Sequence, residues 1–346
     1  MRAGILTGGG DCPGLNAVIR AVARRLHTNG WDVIGVREGW RGLVEGKLEE
    51  LGPREVSGIL PRGGTILGTT RTNPYKLDGG VDAVLRTFSD NGLEALVAIG
   101  GEDTLGVAAR LHEEHDFHVV GVPKTIDNDL SGTDYTFGFD TAVSIATEAV
   151  DRLHSTAESH KRVIVVEVMG RHVGWIATHA GIAGGADVIL VPEEPADLAV
   201  VAEHLKRRYA GGTSFSIVVV AEGTKIRTSP DEPEHVVTTG ALDEAGRVRL
   251  GGVGQYVAAE IERRTGFETR VSVLGHIQRG GTPTAHDRVL ASRFGVHACD
   301  MVARGEFGKM AALRGNEVTS IPLADATRTL KRVPAEYFDV ARVFFG

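Results

Sequence analysis

Short unbroken apolar runs alternate along the chain with segments whose apolar residues return every three or four positions. Residues 3–6 form the first run, and Leu15, Val18, Ile19, Val22 and Leu26 then follow at helical spacing. Further strand-like runs are Val33–Val36, Leu96–Ile99, Val119–Val122, Val163–Val168, Val188–Val191, Ser216–Ala221 and Arg270–Leu274. Helical patterns separate most of them, for example Ala142–Leu153 and Leu198–Tyr209. Strands this continuously apolar need cover on both faces, which the helices of a parallel sheet provide. The pattern therefore predicts an α/β fold with mostly parallel sheets and a domain change near Gly138. In such sheets ligands bind beyond the carboxyl ends of the strands. The segment Thr228–Gly246, rich in acids and turn formers, predicts a surface loop or hairpin.

A length of 346 residues leaves room for two domains. The 42% hydrophobic and 24% charged content is that of an ordinary globular protein. A net charge of −7, without charged blocks, argues against a nucleic-acid partner. Cys12 and Cys299 form no C-x-x-C pair, which removes zinc and disulfide frameworks. No apolar run approaches the roughly 20 residues of a membrane span, so the expectation is a soluble cytoplasmic protein. Only 8 of the 38 basic residues are Lys, a bias that genomic base composition explains, although Arg is also the better bidentate phosphate ligand.

The strand exits carry the candidate chemistry. T-G-G-G-D-C-P-G at 7–14 lies between a strand and a helix, where free N–H groups and small residues admit an anion. It matches neither G-x-G-x-x-G nor a Walker loop, and a tight structural turn explains it equally well. G-G-T-I-L-G-T-T-R at 63–71 delivers Arg71 from another small-residue loop. V-A-I-G-G-E-D-T at 97–104 places Glu102 and Asp103 after two glycines. P-K-T-I-D-N-D at 123–129 puts Lys124, Thr125, Asp127 and Asp129 at one strand end. A carboxylate there can take a proton from a hydroxyl nucleophile, and Lys and Thr can hold phosphate. M-G-R at 169–171, A-E-G at 221–223 and L-G-H-I-Q-R-G-G at 274–281 close three further strands. Glycines beside charged residues at so many exits suggest one crevice for an anionic substrate.

Together, and in this order, these segments resemble the phosphofructokinase family. The resemblance implies two Rossmann-like three-layer α/β/α domains with the active site in the cleft between them. Residues 1–137 plus approximately 278–327 would bind the phosphoryl donor, and 138–277 plus approximately 328–346 the sugar phosphate. The implied reaction is phosphoryl transfer to the C1 hydroxyl of fructose 6-phosphate, with Mg²⁺. Asp127 matches the general base, and Thr125 and Arg171 match positions that hold the transferred group. Gly9, Gly10, Arg71 and Thr104 match the donor side. Asp129, Arg162, Met169, Gly170, Glu222, Arg270, His276 and Arg279 match the sugar-phosphate side. In this family Arg162 and Arg270 serve a neighbouring subunit, so a homodimer or homotetramer with shared sites is implied. Arg20 and Arg24 match part of an effector site. The lengthened acidic stretch 226–249 nevertheless predicts weak nucleotide regulation.

The chain departs from the nucleotide-using pattern G-G-D-G-[ST] and P-G-T-I-D-N-D. Glu102 stands for the usual metal-binding Asp, while Asp103 and Lys124 stand where glycines occur. Glu102 can still offer oxygen to Mg²⁺. A carboxylate at 103 takes the space of a nucleotide α-phosphate and repels it, and Lys124 supplies charge for a compact donor. The pair implies inorganic pyrophosphate as donor. ATP remains the nearest alternative, since Lys124 also occurs in members that use it. A non-catalytic sugar-phosphate sensor is a remoter alternative.

Overall fold

A computed structural model describes residues 1–227, 234–242 and 248–343. The chain divides into two compact units, Met1–Thr141 with Arg279–Leu330, and Ala142–Gln278 with Lys331–Gly346.

From the N-terminus the main elements are β1 (Arg2–Thr7), α1 (Leu15–Thr28), β2 (Asp32–Val36), β3 (Leu48–Glu50) and β4 (Ala95–Gly100). Then come α2 (Glu102–His115), β5 (Val119–Pro123), α3 (Phe139–His160), β6 (Val163–Val168), β7 (Val188–Leu190) and β8 (Ser216–Ala221). The last are α4 (Val253–Thr265), β9 (Thr269–Val273), α5 (Ala285–Ala303), β10 (Lys309–Arg314) and β11 (Glu317–Pro322). Each apolar run named above falls on a strand, with Val191 and Leu274 one residue past the end of theirs, and each named helical pattern lies on a helix.

The first unit holds a seven-stranded sheet in the order β11-β10-β5-β4-β1-β2-β3. Its five inner strands are parallel, and the edge strands β3 and β11 run antiparallel to their neighbours. The chain reverses its direction of progress across the sheet between β1 and β4, and loops diverge at such a point to leave a crevice. There Thr7 pairs with Ile99, and the Gly8 N–H donates to the Ile99 carbonyl at 2.9 Å. The glycine turns after β1 and β4 are thereby neighbours. Leu15, Val18, Ile19, Val22 and Leu26 of α1 are all buried. The helix starts after Gly14, whose φ of 106° and whose nearness to Phe137 (2.7 Å from a would-be Cβ) exclude a side chain.

The second unit holds the parallel sheet β9-β6-β8-β7. Val163, Val165, Val218 and Val220 pack there with Leu198, Val201, Val253, Val257 and Ile261 from flanking helices. Within Thr228–Gly246 the described residues include His235–Val236, paired with Lys225–Arg227, and Thr238–Leu242, paired with Val248–Leu250. Residues 228–233 and 243–247 of that stretch lie outside the described residues.

Candidate active site

In the first unit three strand exits meet. The Lys124 N–H donates to the Gly100 carbonyl at 2.9 Å, which sets β5's exit beside β4's. The Lys124 side chain then runs back under the first glycine turn. Its Nζ donates to the Gly10 carbonyl at 2.5 Å, and the residue is only 4% exposed. Gly9 needs its φ of +80°, and a Cβ on Gly10 would come within 2.6 Å of an Arg279 guanidinium nitrogen. Arg279 also donates to the Asp11 carbonyl at 3.3 Å. Its guanidinium thus lies against the donor-side turn, although the resemblance counts it with the sugar phosphate. Thr104 Oγ1 would meet a Cβ on Gly8 at 2.5 Å. Burial pushes the Lys124 ammonium below its usual range and the Arg279 charge adds to this, while Cys12, Asp129 and Asp11 oppose it. Two cations crowd a turn of small residues, one of them poorly solvated. An arriving phosphate would relieve both conditions.

Acids follow the exits of both β4 and β5. Glu102 and Asp103 begin α2 and are exposed. A helix N-terminus favours negative charge, so here the chain itself occupies an anion's position. Asp103 lines a cavity of about 410 Å³ with Glu102, Asn73, Tyr75, Arg110 and Glu113 among others. The Arg110 guanidinium lies 3.6 Å above the Tyr75 ring.

The other acids are those of the turn after β5. Thr125 Oγ1 accepts from the Asp127 N–H at 3.0 Å. Between the two aspartates, Asn128 takes a left-handed φ of 52°, which Asn tolerates better than most residues. Its Oδ1 accepts from the Thr136 N–H at 3.1 Å and its Nδ2 donates to the Asp134 carbonyl at 3.4 Å. Asn128 therefore pins the turn that carries both aspartates. Burial, then the Asp127 charge, with Glu102 adding, raise the Asp129 carboxyl to about 7, against hydrogen bonds from its own backbone and Thr125. Arg71 ends the 63–71 loop and is exposed.

Most residues that the resemblance matches to the sugar phosphate assemble in the second unit. Val168 of β6 pairs with Ala221 of β8, so M-G-R and A-E-G leave the sheet side by side. The Gly223 N–H donates to the Gly170 carbonyl at 3.0 Å and that of Glu222 to the Val168 carbonyl at 2.9 Å. A Cβ at Gly223 would collide with the Arg171 carbonyl at 2.0 Å. Met169, Gly170, Arg171 and Glu222 thus form one group. Buried Gln278 ties in the third exit: its Oε1 accepts from the Met169 N–H at 3.4 Å and its Nε2 donates to the Gly275 carbonyl at 3.1 Å. His276 is exposed on that turn. Arg162 and Arg270 both pair with Glu268, Arg162 at 2.8 Å.

Sequence reasoning named neither Asn128 nor Gln278, each of which fixes a turn through a partner remote in sequence or hidden in the backbone. The middle position of D-N-D, where Asn suits a left-handed residue, was the one local signal.

A family model described as Phosphofructokinase matches residues 2–302. The chain belongs to the phosphofructokinase family. It is 60% identical over 347 residues to a pyrophosphate--fructose 6-phosphate 1-phosphotransferase of Amycolatopsis methanolica, covering 100% of both chains. It is also 54% identical, again over 100% of both chains, to an ATP-dependent 6-phosphofructokinase of Mycobacterium tuberculosis. Among solved structures, the phosphofructokinase of Saccharomyces cerevisiae matches with a TM-score of 0.78 and 33% identity. That match covers 99% of this chain and 46% of the yeast chain, so the chain spans about half the yeast chain's length. Among the described residues no helix is long and apolar enough to cross a membrane.

Proposed function

We propose that this phosphofructokinase moves a phosphoryl group from inorganic pyrophosphate to the C1 hydroxyl of fructose 6-phosphate. The products are fructose 1,6-bisphosphate and phosphate, and the reaction is readily reversible. Similarity supports the reaction, but the relatives' names divide between two donors at 60% and 54% identity. The donor reading is carried by one observation, the Asp103 carboxylate on the first turn of α2, next in sequence to Thr104, whose hydroxyl lies against Gly8.

In this reading the first unit holds the donor and the second the sugar. Gly9, Gly10, Thr104 and Arg71 bind pyrophosphate. Asp127 takes the C1 hydroxyl proton as that oxygen forms its bond to phosphorus. The bond from phosphorus to the bridging oxygen breaks, and the leaving phosphate keeps the electron pair. Lys124 neutralises that growing charge where solvent does so poorly. Thr125 and Arg171 hold the transferred group. Met169, Gly170, Glu222 and His276 orient the sugar phosphate, Arg279 stands against the donor turn in the first unit, and Asp129 supports the acidic turn.

Glu102 is the residue we assign to Mg²⁺. Mg²⁺ commonly takes one or two carboxylates, completes its shell with water and substrate phosphates, and rarely uses an all-protein cage. The donor chemistry fits: Glu102 and its neighbour Asp103 place hard carboxylate oxygens on the exposed first turn of α2. When bound, the ion neutralises phosphate charge. A cytoplasmic homo-oligomer, with Arg162 and Arg270 serving a neighbouring subunit's sugar, completes the reading.

Initial rates with fructose 6-phosphate and Mg²⁺, pyrophosphate against ATP, test it. We expect kcat/KM for pyrophosphate to exceed that for ATP by about a hundredfold or more. A preference for ATP would sink the donor reading, and no turnover with either would sink the activity.

A further inference from the structure

We infer that Asn16 is the positioning residue of the donor cradle, a role that rests on the reading of Gly9 and Gly10 as donor ligands. Asn16 sits in the first turn of α1, directly after the glycine turn, and is fully buried. A buried Asn in a helix interior is costly unless its amide is satisfied. Here all three groups reach one remote loop. Nδ2 donates to the Arg62 carbonyl at 3.0 Å and the Gly63 carbonyl at 3.1 Å, and Oδ1 accepts from the Ile66 N–H at 2.8 Å.

The loop so held clasps the donor turn a few residues later. Thr69 Oγ1 donates to the Gly9 carbonyl at 2.6 Å, and the Gly9 N–H donates to the Thr70 carbonyl at 3.0 Å. Its other end touches the segment that carries Arg279: a Cβ on Gly63 would strike the Gly281 carbonyl at 2.2 Å. One amide thus fixes a loop that presses on both sides of the cradle. Neither Asn16 nor Thr69 is given any contact with substrate; they act by holding Gly9 in place. An equivalent purely structural residue would affect folding but would not single out the donor.

The test compares Asn16→Ala, Asn16→Asp and Thr69→Val with wild type. Asn16→Asp keeps the oxygen facing Ile66 but turns a carboxylate toward two carbonyls. Asp197→Ala serves as a stability control: Asp197 accepts from the Ala199 N–H at 2.9 Å and caps the helix Leu198–Ala210 in the other unit. We expect the donor KM to rise about tenfold in Asn16→Ala and Thr69→Val, the size of one lost buried hydrogen bond, and at least as much in Asn16→Asp. The sugar KM should stay within about threefold, and Asp197→Ala should lower the melting temperature while leaving both constants alone. The position is overturned if donor KM stays within threefold of wild type in the folded variants, or if the sugar KM rises equally. If Asn16→Ala does not fold, Thr69→Val decides alone. Wild-type turnover with pyrophosphate tests the donor reading separately. The variant-to-wild-type ratio, taken with whichever donor the wild type uses or from calorimetric binding of pyrophosphate, tests the positioning.

Discussion

Replacing Asp103 by Gly should admit ATP. The carboxylate stands on the first turn of α2 and is exposed. A nucleotide phosphate about 4 Å from it would meet a repulsion between roughly 1 kcal/mol in water-like surroundings and roughly 4 kcal/mol at an effective dielectric of 20. Exposure at 103 favours the lower half, about 2 kcal/mol, or near thirtyfold in affinity. The carboxylate also lines a cavity of about 410 Å³ bordered by Asn73, Tyr75 and Arg110, which removal of the side chain would enlarge. The helix loses a favourable first-turn charge worth about 0.3–1 kcal/mol, and melting curves measure that cost apart from catalysis. We expect kcat/KM for ATP to rise by about one to two orders of magnitude in Asp103→Gly, with pyrophosphate changed less. Asp103→Asn separates charge from bulk: if repulsion dominates, it recovers most of the gain. An ATP kcat/KM within threefold of wild type in both variants would refute the reasoning.

Asp127→Asn should cut kcat by about two to four orders of magnitude and leave both KM values within a few-fold, as steady-state kinetics would read for a general base. Asp129 gives a stability signature. Its folded pKa, about 7, lies above the ordinary 3.8, so the folded state holds the proton more tightly. The stability this contributes is complete below pH 4 and is lost as pH rises toward 7. Asp129→Asn should therefore gain on wild type between pH 5 and 8 in metal-free denaturant titrations, by at most about 4 kcal/mol; a pH-independent difference would contradict the assignment. Arg270→Ala should raise the KM for fructose 6-phosphate about tenfold or more and leave that for pyrophosphate near wild type.

The parallel sheets were legible because buried strands must be apolar on both faces, and runs such as Val163–Val168 and Ser216–Ala221 can satisfy no other environment. The antiparallel β10–β11 hairpin escaped notice. Glu317–Pro322 is an edge strand exposed at both ends and only partly buried between them, and such a strand leaves no continuous apolar run. At the site, charged groups beside glycine were readable one exit at a time. What joined them was not readable. Asn16 reaches a loop 46 to 50 residues away and Gln278 a backbone amide 109 residues away. The place of Arg279 against Gly10 likewise depends on how the chain returns to the first unit after residue 278.

The two acids at the start of α2 also bear on how donor preference could change in descent. A glycine at that turn is the weaker helix former, and an aspartate there is welcomed by the helix's own dipole. The exchange proposed to exclude a nucleotide therefore strengthens the scaffold, while the reverse exchange weakens it by only a small fraction of a typical folding free energy. A lineage could cross between energy currencies at this position in either direction without passing through an unfolded ancestor.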